Sequence, residues 1–248
     1  MIPLIAVAHG SRDPRSARAV AAALAAVRDR HPELDVRLAF LDLNSPSVPQ
    51  VLDTVAAAGH RQAVVVPLLL GSAFHARIDL PALLAESAIR NPYLDIVTSE
   101  ILGDDELLVS AARDNIVAAG VSRDDPAVGV ALCAVGSRRA GANSSTAMVT
   151  PRVLAGTEWS SGRTCFATAT EPSVETALTE LSRAGARTLV LVPWMLAPGL
   201  LWDRACAAAE SLRGVHIAAT LTDHAAIGDV IVARYLAAVA ASRMLVAA

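Results

Sequence analysis

Three side chains with reactive chemistry stand at even spacing in the first third of the chain: His9, Asp42 and His75, each 33 residues from the next. Two imidazoles and a carboxylate can ligate borderline divalent ions such as Fe²⁺, Co²⁺ or Ni²⁺, and can accept and release protons near neutral pH. A histidine taken singly is more often a hydrogen-bonded core or surface residue. The placement of this set distinguishes it: His9 follows one apolar run, Asp42 ends a second, and His75 lies in the loop after a third. A parallel sheet would bring all three to its carboxyl edge, where open α/β sheets bind their ligands.

The elements that must do this positioning are legible as alternating patterns. Ile2–Ala8, Val36–Asp42, Ala63–Leu70 and Asp95–Ile101 read as strands, and Ser16–Arg30, Ser47–Ala58, Leu80–Arg90 and Asp105–Ala119 as helices. Such alternation predicts right-handed βαβ units and a parallel sheet covered on both faces. The composition agrees: 54% of the 248 residues are hydrophobic, largely alanine and valine, which suits buried parallel strands and alanine-faced helices. Mean hydropathy is +0.46, yet the longest apolar runs, Ala63–Phe74 and Leu189–Trp202, are interrupted by Pro67, Pro193 and Pro198. A membrane span needs about 20 apolar residues, so none is predicted. The Ile2–Ala8 stretch is too short for a signal-peptide core and has no basic leader, so a cytoplasmic protein is expected. A net charge of −3, no basic block and 3% aromatic residues argue against a nucleic-acid partner. Cys133, Cys165 and Cys206 form no CxxC pair and leave an odd thiol, so they read as core thiols rather than disulfides or cluster ligands.

The sequence also repeats itself. Gly10-Ser11-Arg12 recurs as Gly136-Ser137-Arg138, and at the same offset of 126 Phe40 matches Phe166, Pro46-Ser47-Val48 matches Pro172-Ser173-Val174, and Val66-Pro67 matches Val192-Pro193. So many aligned Pro and Gly positions indicate a tandem duplication. Past residue 201 the second copy runs six residues shorter, with the loss expected in the third helix region. With Gly120–Pro126 as the turn-rich linker, residues 1–122 form one domain and 127–248 a degenerate second. Each is expected to carry a four-stranded parallel sheet, the two facing across a cleft, with the duplication allowing a functional monomer.

The copies differ where the chemistry lies. Val135 stands for His9, Thr168 for Asp42 and Leu201 for His75, while the Gly-Ser-Arg, Pro-Ser-Val and Val-Pro frames persist. Residues needed for folding should persist in both copies, so the trio acts as a unit that is needed once. Gly-Ser-Arg, kept twice, has two readings. Its backbone N–H groups at a helix start, with Arg12 or Arg138, would bind phosphate or carboxylate; or Gly10 and Gly136 permit a tight turn and Ser11 and Ser137 cap helices. Arg77 is a further candidate for anion contact, and Asp79 before Leu80-Pro81 reads as a helix cap. His31 and His60 are expected to be solvated, His216 to lie in a short strand and His224 in the loop after it.

His9-Gly-Ser-Arg-Asp-Pro-Arg15, Ala39-Phe-Leu-Asp42 followed by Pro46-Ser47, and Val66-Pro67-Leu-Leu-Leu70 running to His75 and Asp79-Leu-Pro81 resemble the sirohydrochlorin chelatases, the class II chelatase family of the CbiX type. The resemblance covers nearly the whole chain, closely in the first half and in degenerate form in the second. It implies insertion of Fe²⁺ or Co²⁺ into sirohydrochlorin, a tetrapyrrole with eight carboxylates, on the route to siroheme or cobalamin, with the metal as substrate and no organic cofactor. The two family histidines map onto His9 and His75, and the usual glutamate maps onto Asp42, one methylene shorter. His9, His75 and Asp42 would then hold the metal or move the pyrrole protons. Ser11, Arg12, Arg77, Ser137 and Arg138 would meet the carboxylates, and Leu69, Phe74, Trp194 and Trp202 the macrocycle faces. A non-catalytic metal or tetrapyrrole carrier would use the same trio. A phosphate-handling enzyme is the weaker alternative, since the chain has no GxxxxGK[ST] or GxGxxG loop.

Overall fold

The computed structural model describes residues 1–71, 78–137, 141–168, 171–212 and 214–246. Along the first repeat run β1 (Leu4–Ala8), α1 (Pro14–Arg30), β2 (Val36–Phe40), α2 (Val48–Ala57), β3 (Gln62–Pro67), α3 (Leu80–Arg90), β4 (Asp95–Thr98) and α4 (Glu106–Ala118). The second contains β5 (Val128–Ala134), α5 (Ala142–Ala147), α6 (Val149–Leu154), β6 (Ser161–Phe166), α7 (Val174–Arg183), β7 (Thr188–Pro193), α8 (Leu200–Glu210), β8 (Val215–Ile217) and α9 (Ala226–Val246). The strands form two four-stranded sheets, ordered β2-β1-β3-β4 and β6-β5-β7-β8. Every pairing in them is parallel.

The helix starts follow from local chemistry. The Asp13 side chain accepts the Arg15 amide and Pro14 occupies the first turn, where its missing N–H costs nothing. Ser47 and Gln50 form a reciprocal capping box for α2, and Ser173 caps α7 by accepting the Thr176 amide. Asp79 departs from the expected cap: its backbone is already helical and its side chain makes no capping hydrogen bond. The interior strands are buried throughout, as parallel sheets covered on both faces require. In the first unit Ile5, Val7, Ala39 and Val65 pack with Val48, Leu52 and Val55 of α2. In the second, Ala131, Cys133, Cys165 and Leu191 pack with Val174, Leu178 and Leu181 of α7. Cys133 and Cys165 thus stand where the first sheet has Val7 and Ala39, as small apolar side chains.

The compact units do not coincide with the division at 122 and 127 expected from the repeat. One comprises Met1–Gly103 with Ala225–Ala248, the other Asp104–His224. Helix α4 belongs to the second unit, where the Asn115 amide donates to the Ala219 and Thr220 carbonyls and Arg113 donates to the Arg152 and Val153 carbonyls. Helix α9 belongs to the first: the Tyr235 hydroxyl donates to the Ile2 carbonyl, Arg234 to the Ile101 and Leu102 carbonyls, and the Gln62 side-chain amide to the Ser242 hydroxyl. Gly120–Pro126 therefore joins α4 to β5 inside the second unit, where the Ser122 carbonyl accepts from the Trp159 indole.

Helix α9 approaches α1 most closely at Gly228, where an added Cβ would lie 2.4 Å from Arg30 Nη2 and 2.8 Å from Val27 Cγ2. Gly228→Leu is expected to destabilise the first unit by about 1–3 kcal/mol through overpacking. A urea melt with an unchanged midpoint would contradict this packing.

Candidate active site

The hydrogen-bond ladder between β1 and β2 continues past both strands. The Leu41 amide donates to the Ala8 carbonyl at 2.9 Å and the Asp42 amide to the His9 carbonyl at 3.0 Å. This sets His9 and Asp42, both exposed, on adjacent chains at the carboxyl edge of the sheet. Strand β1 lies between β2 and β3, so the connections leaving β1 and β3 diverge there, as at the ligand-binding crevice of open α/β sheets. The Leu68 amide donates to the Val7 carbonyl at 2.8 Å, so the β3–α3 connection also leaves from beside β1. That connection carries His75 and Arg77, which lie outside the described residues, as do Phe74 and Arg138. Among the described residues no three His, Cys, Asp or Glu side chains converge to hold a metal ion.

The second repeat keeps this backbone frame with other side chains. The Ala167 amide donates to Ala134, Thr168 to Val135 and Trp194 to Cys133, each at the 126-residue offset. The missing six residues, however, are not in the helix. Helices α3 and α8 are both 11 residues long, whereas the preceding connections are 68–79 in the first repeat and 194–199 in the second. The loss falls in the connection that carries His75. Leu201 is the second residue of α8 and the counterpart of Pro81, so it does not stand in for His75.

The Gly-Ser-Arg turn is tighter than an open anion cradle. Gly10 has φ +96°, and an added Cβ would lie 1.8 Å from the Asp42 carbonyl oxygen. Gly136 has φ +90° and faces Thr168 in the same way, with the added Cβ 2.6 Å from its Oγ1. Neither position tolerates a side chain, which accounts for the glycine in both copies. The Ser11 amide, expected to face a ligand, donates instead to Asn44 Oδ1 at 2.7 Å, and the Ser137 amide donates to Asn143 Oδ1 at 2.8 Å. Ser11 Oγ accepts the Asp13 amide rather than capping the helix. Arg12 is exposed. Asp13 is buried, accepts both the amide and the guanidinium of Arg15, and is held below the usual carboxylate range by those hydrogen bonds. Asp13 and Asn44 are the site-supporting residues that the sequence reading missed; the Asp-Pro step was an available signal for the first.

Trp194 and Trp202, expected to face a ligand, are buried, at 4% and 7% exposure. Exposed apolar side chains include Leu43 and Ile78 in the first unit and Val135 and Leu200 in the second, while Leu69 is half-buried. His216 lies in β8 with Nδ1 2.9 Å from the Ala119 carbonyl, and His224 faces Asp114 at 3.5 Å. His31 and His60 are partly buried beside Glu33 and Asp35. The Cys133 thiol and burial push Cys165 strongly upward, and burial pushes Cys206 up to about 11, so both stay protonated.

A duplicated parallel α/β chain with an imidazole and a carboxylate on adjacent strand ends at the carboxyl edge of the sheet has the architecture of the tandem-domain chelatases. The CbiX family pattern matches residues 3–119 and 129–238, and the chain belongs to this family. It is 28% identical over 209 residues to a sirohydrochlorin cobaltochelatase of Priestia megaterium, covering 82% of this chain and 67% of the relative. It is 27% identical over 201 residues to a sirohydrochlorin ferrochelatase of Bacillus subtilis, covering 81% and 76%. The structure of SirB from Bacillus subtilis with Fe³⁺ superposes over 98% of both chains with a TM-score of 0.85 at 24% identity, which shows the common fold.

Because Asp13 is held below its unfolded value of about 3.9, its contribution to stability is present above that pH and is lost as pH falls through the lower, folded value. Asp13→Asn keeps a capping oxygen and loses the charge. It is expected to melt below the wild type at pH 7, with the gap closing as the pH falls below about 4. A gap that persists unchanged at pH 3 in circular-dichroism melts would rule out the ion pair as its source.

Proposed function

We propose that this protein inserts Fe²⁺ or Co²⁺ into sirohydrochlorin, in siroheme or cobalamin biosynthesis, using the first repeat for the chemistry. The observation that supports this most directly is the pairing of His9 with Asp42 through the extended β1–β2 ladder, beside the connection that carries His75. The second repeat keeps the ladder, substitutes both side chains and has a connection six residues shorter there. Sirohydrochlorin chelatases for both metals are among the relatives.

Two pyrrole N–H protons leave as one divalent ion enters, so charge balances without redox chemistry. His9 and His75 hold the ion or accept these protons, and Asp42 orients an imidazole or takes the second proton. The exposed edge lets the ion exchange its waters stepwise. Arg12 and Arg77 meet the carboxylates of the macrocycle. The metal is a substrate and no organic cofactor is required. The protein acts in the cytoplasm, as a monomer by virtue of its duplication and without a nucleic-acid partner. Among the described residues no helix is long and apolar enough to cross a membrane.

The test is anaerobic insertion of Co²⁺ or Fe²⁺ into sirohydrochlorin, followed by the absorbance of the macrocycle. His9→Ala, His75→Ala or Asp42→Asn is expected to lower turnover by about 10²–10⁴-fold, whereas Val135→Ala leaves it unchanged. Equal losses in both repeats would overturn the division of labour, and tight binding without insertion would make the protein a carrier.

A further inference from the structure

Leu43 has φ +63°, a left-handed conformation that a bulky residue seldom adopts, and it is 50% exposed, so burial does not impose it. The Asn44 amide donates to the Asp42 carbonyl at 2.8 Å, which makes Asp42-Leu43-Asn44 a γ-turn of the rare positive-φ kind. Two further bonds depend on it. The Leu43 amide donates to Asp42 Oδ1 at 2.7 Å, fixing the carboxylate. The turn also points the Asn44 side chain back across the sheet edge, where Oδ1 accepts the Ser11 amide at 2.7 Å. Asn44 thus ties the loop after β2, which carries Asp42, to the loop after β1, which carries His9.

The second repeat shows that satisfying this amide does not require such a tie. There the Ser137 amide is taken by Asn143 of α5, six residues further along the chain, and the positions matching Leu43 and Asn44 are Ala169 and Thr170. The bond between loops therefore accompanies the His9–Asp42 pair rather than the Gly-Ser-Arg turn. We infer that Asn44 is a positioning residue of the reaction, holding His9 and Asp42 at a fixed separation through its bond to Ser11, with the left-handed Leu43 as the device that aims it. This inference rests on the chelatase reading of the site.

Steady-state insertion of Co²⁺ into sirohydrochlorin by the full chain tests it, with thermal melts as a check on folding. Asn44→Ala is expected to lower kcat about 10–100-fold while KM for the macrocycle stays within about threefold. Asn44→Asp, which keeps the acceptor oxygen, restores most of kcat. If Asn44→Ala does not fold, Leu43→Pro serves instead: it removes the amide bonded to Asp42, forces a negative φ and should lose kcat to a similar degree. Wild-type kcat in Asn44→Ala or in Leu43→Pro, or an Asn44→Asp variant as poor as Asn44→Ala, would overturn the positioning role. A wild type that inserts no metal would overturn the chelatase reading, and this inference with it.

Discussion

The ladder between β1 and β2 does not stop where the strands do, and the site is organised around that extension. Parallel strands end at one edge of a sheet by construction, but this alone would leave His9 and Asp42 on loops free to drift. The Asp42 amide bonded to the His9 carbonyl makes the first residue after one strand a neighbour of the second residue after the other. The near contact of Gly10 with the Asp42 carbonyl follows from the same bond and excludes any side chain there. Chemistry that needs two groups at a fixed spacing is thereby handled by backbone, the stiffest material available.

Duplication separates this backbone demand from the chemical one. The second sheet reproduces the extended ladder with valine and threonine, so the frame is stable without the reactive side chains. An exposed valine at 44% accessibility gains little from burial at that position. The histidine in the first repeat is therefore not a folding requirement of the strand end. The shortened β7–α8 connection extends the distinction from side chains to a whole loop.

Strand and helix order was legible because apolar runs, alanine-rich stretches, prolines and capping serines all agreed, and Ser47 and Ser173 cap helices in both copies. What was not legible has specific causes. Trp194 and Trp202 are apolar in any reading, but sequence does not state which face of a covered sheet they occupy, and the core claimed them. The gap in the second repeat was misplaced because no Pro or Gly anchor follows Pro193 at a matching offset; the equal lengths of α3 and α8 settle it. Asn44 was invisible because its worth lies in a bond to an amide 33 residues away. The destinations of α4 and α9 were hidden as well, since a helix that covers one parallel sheet has the composition to cover its twin.

That last feature sets an order of events during synthesis. The second unit is one continuous segment inserted between β4 and the helix that completes the first. Its residues all leave the ribosome before α9 does, so it can close while the earlier-made sheet, already packed by α1, still lacks α9. Chains generally fold from the amino end as they emerge; here the first sheet is made first and its unit is finished last, when α9 arrives.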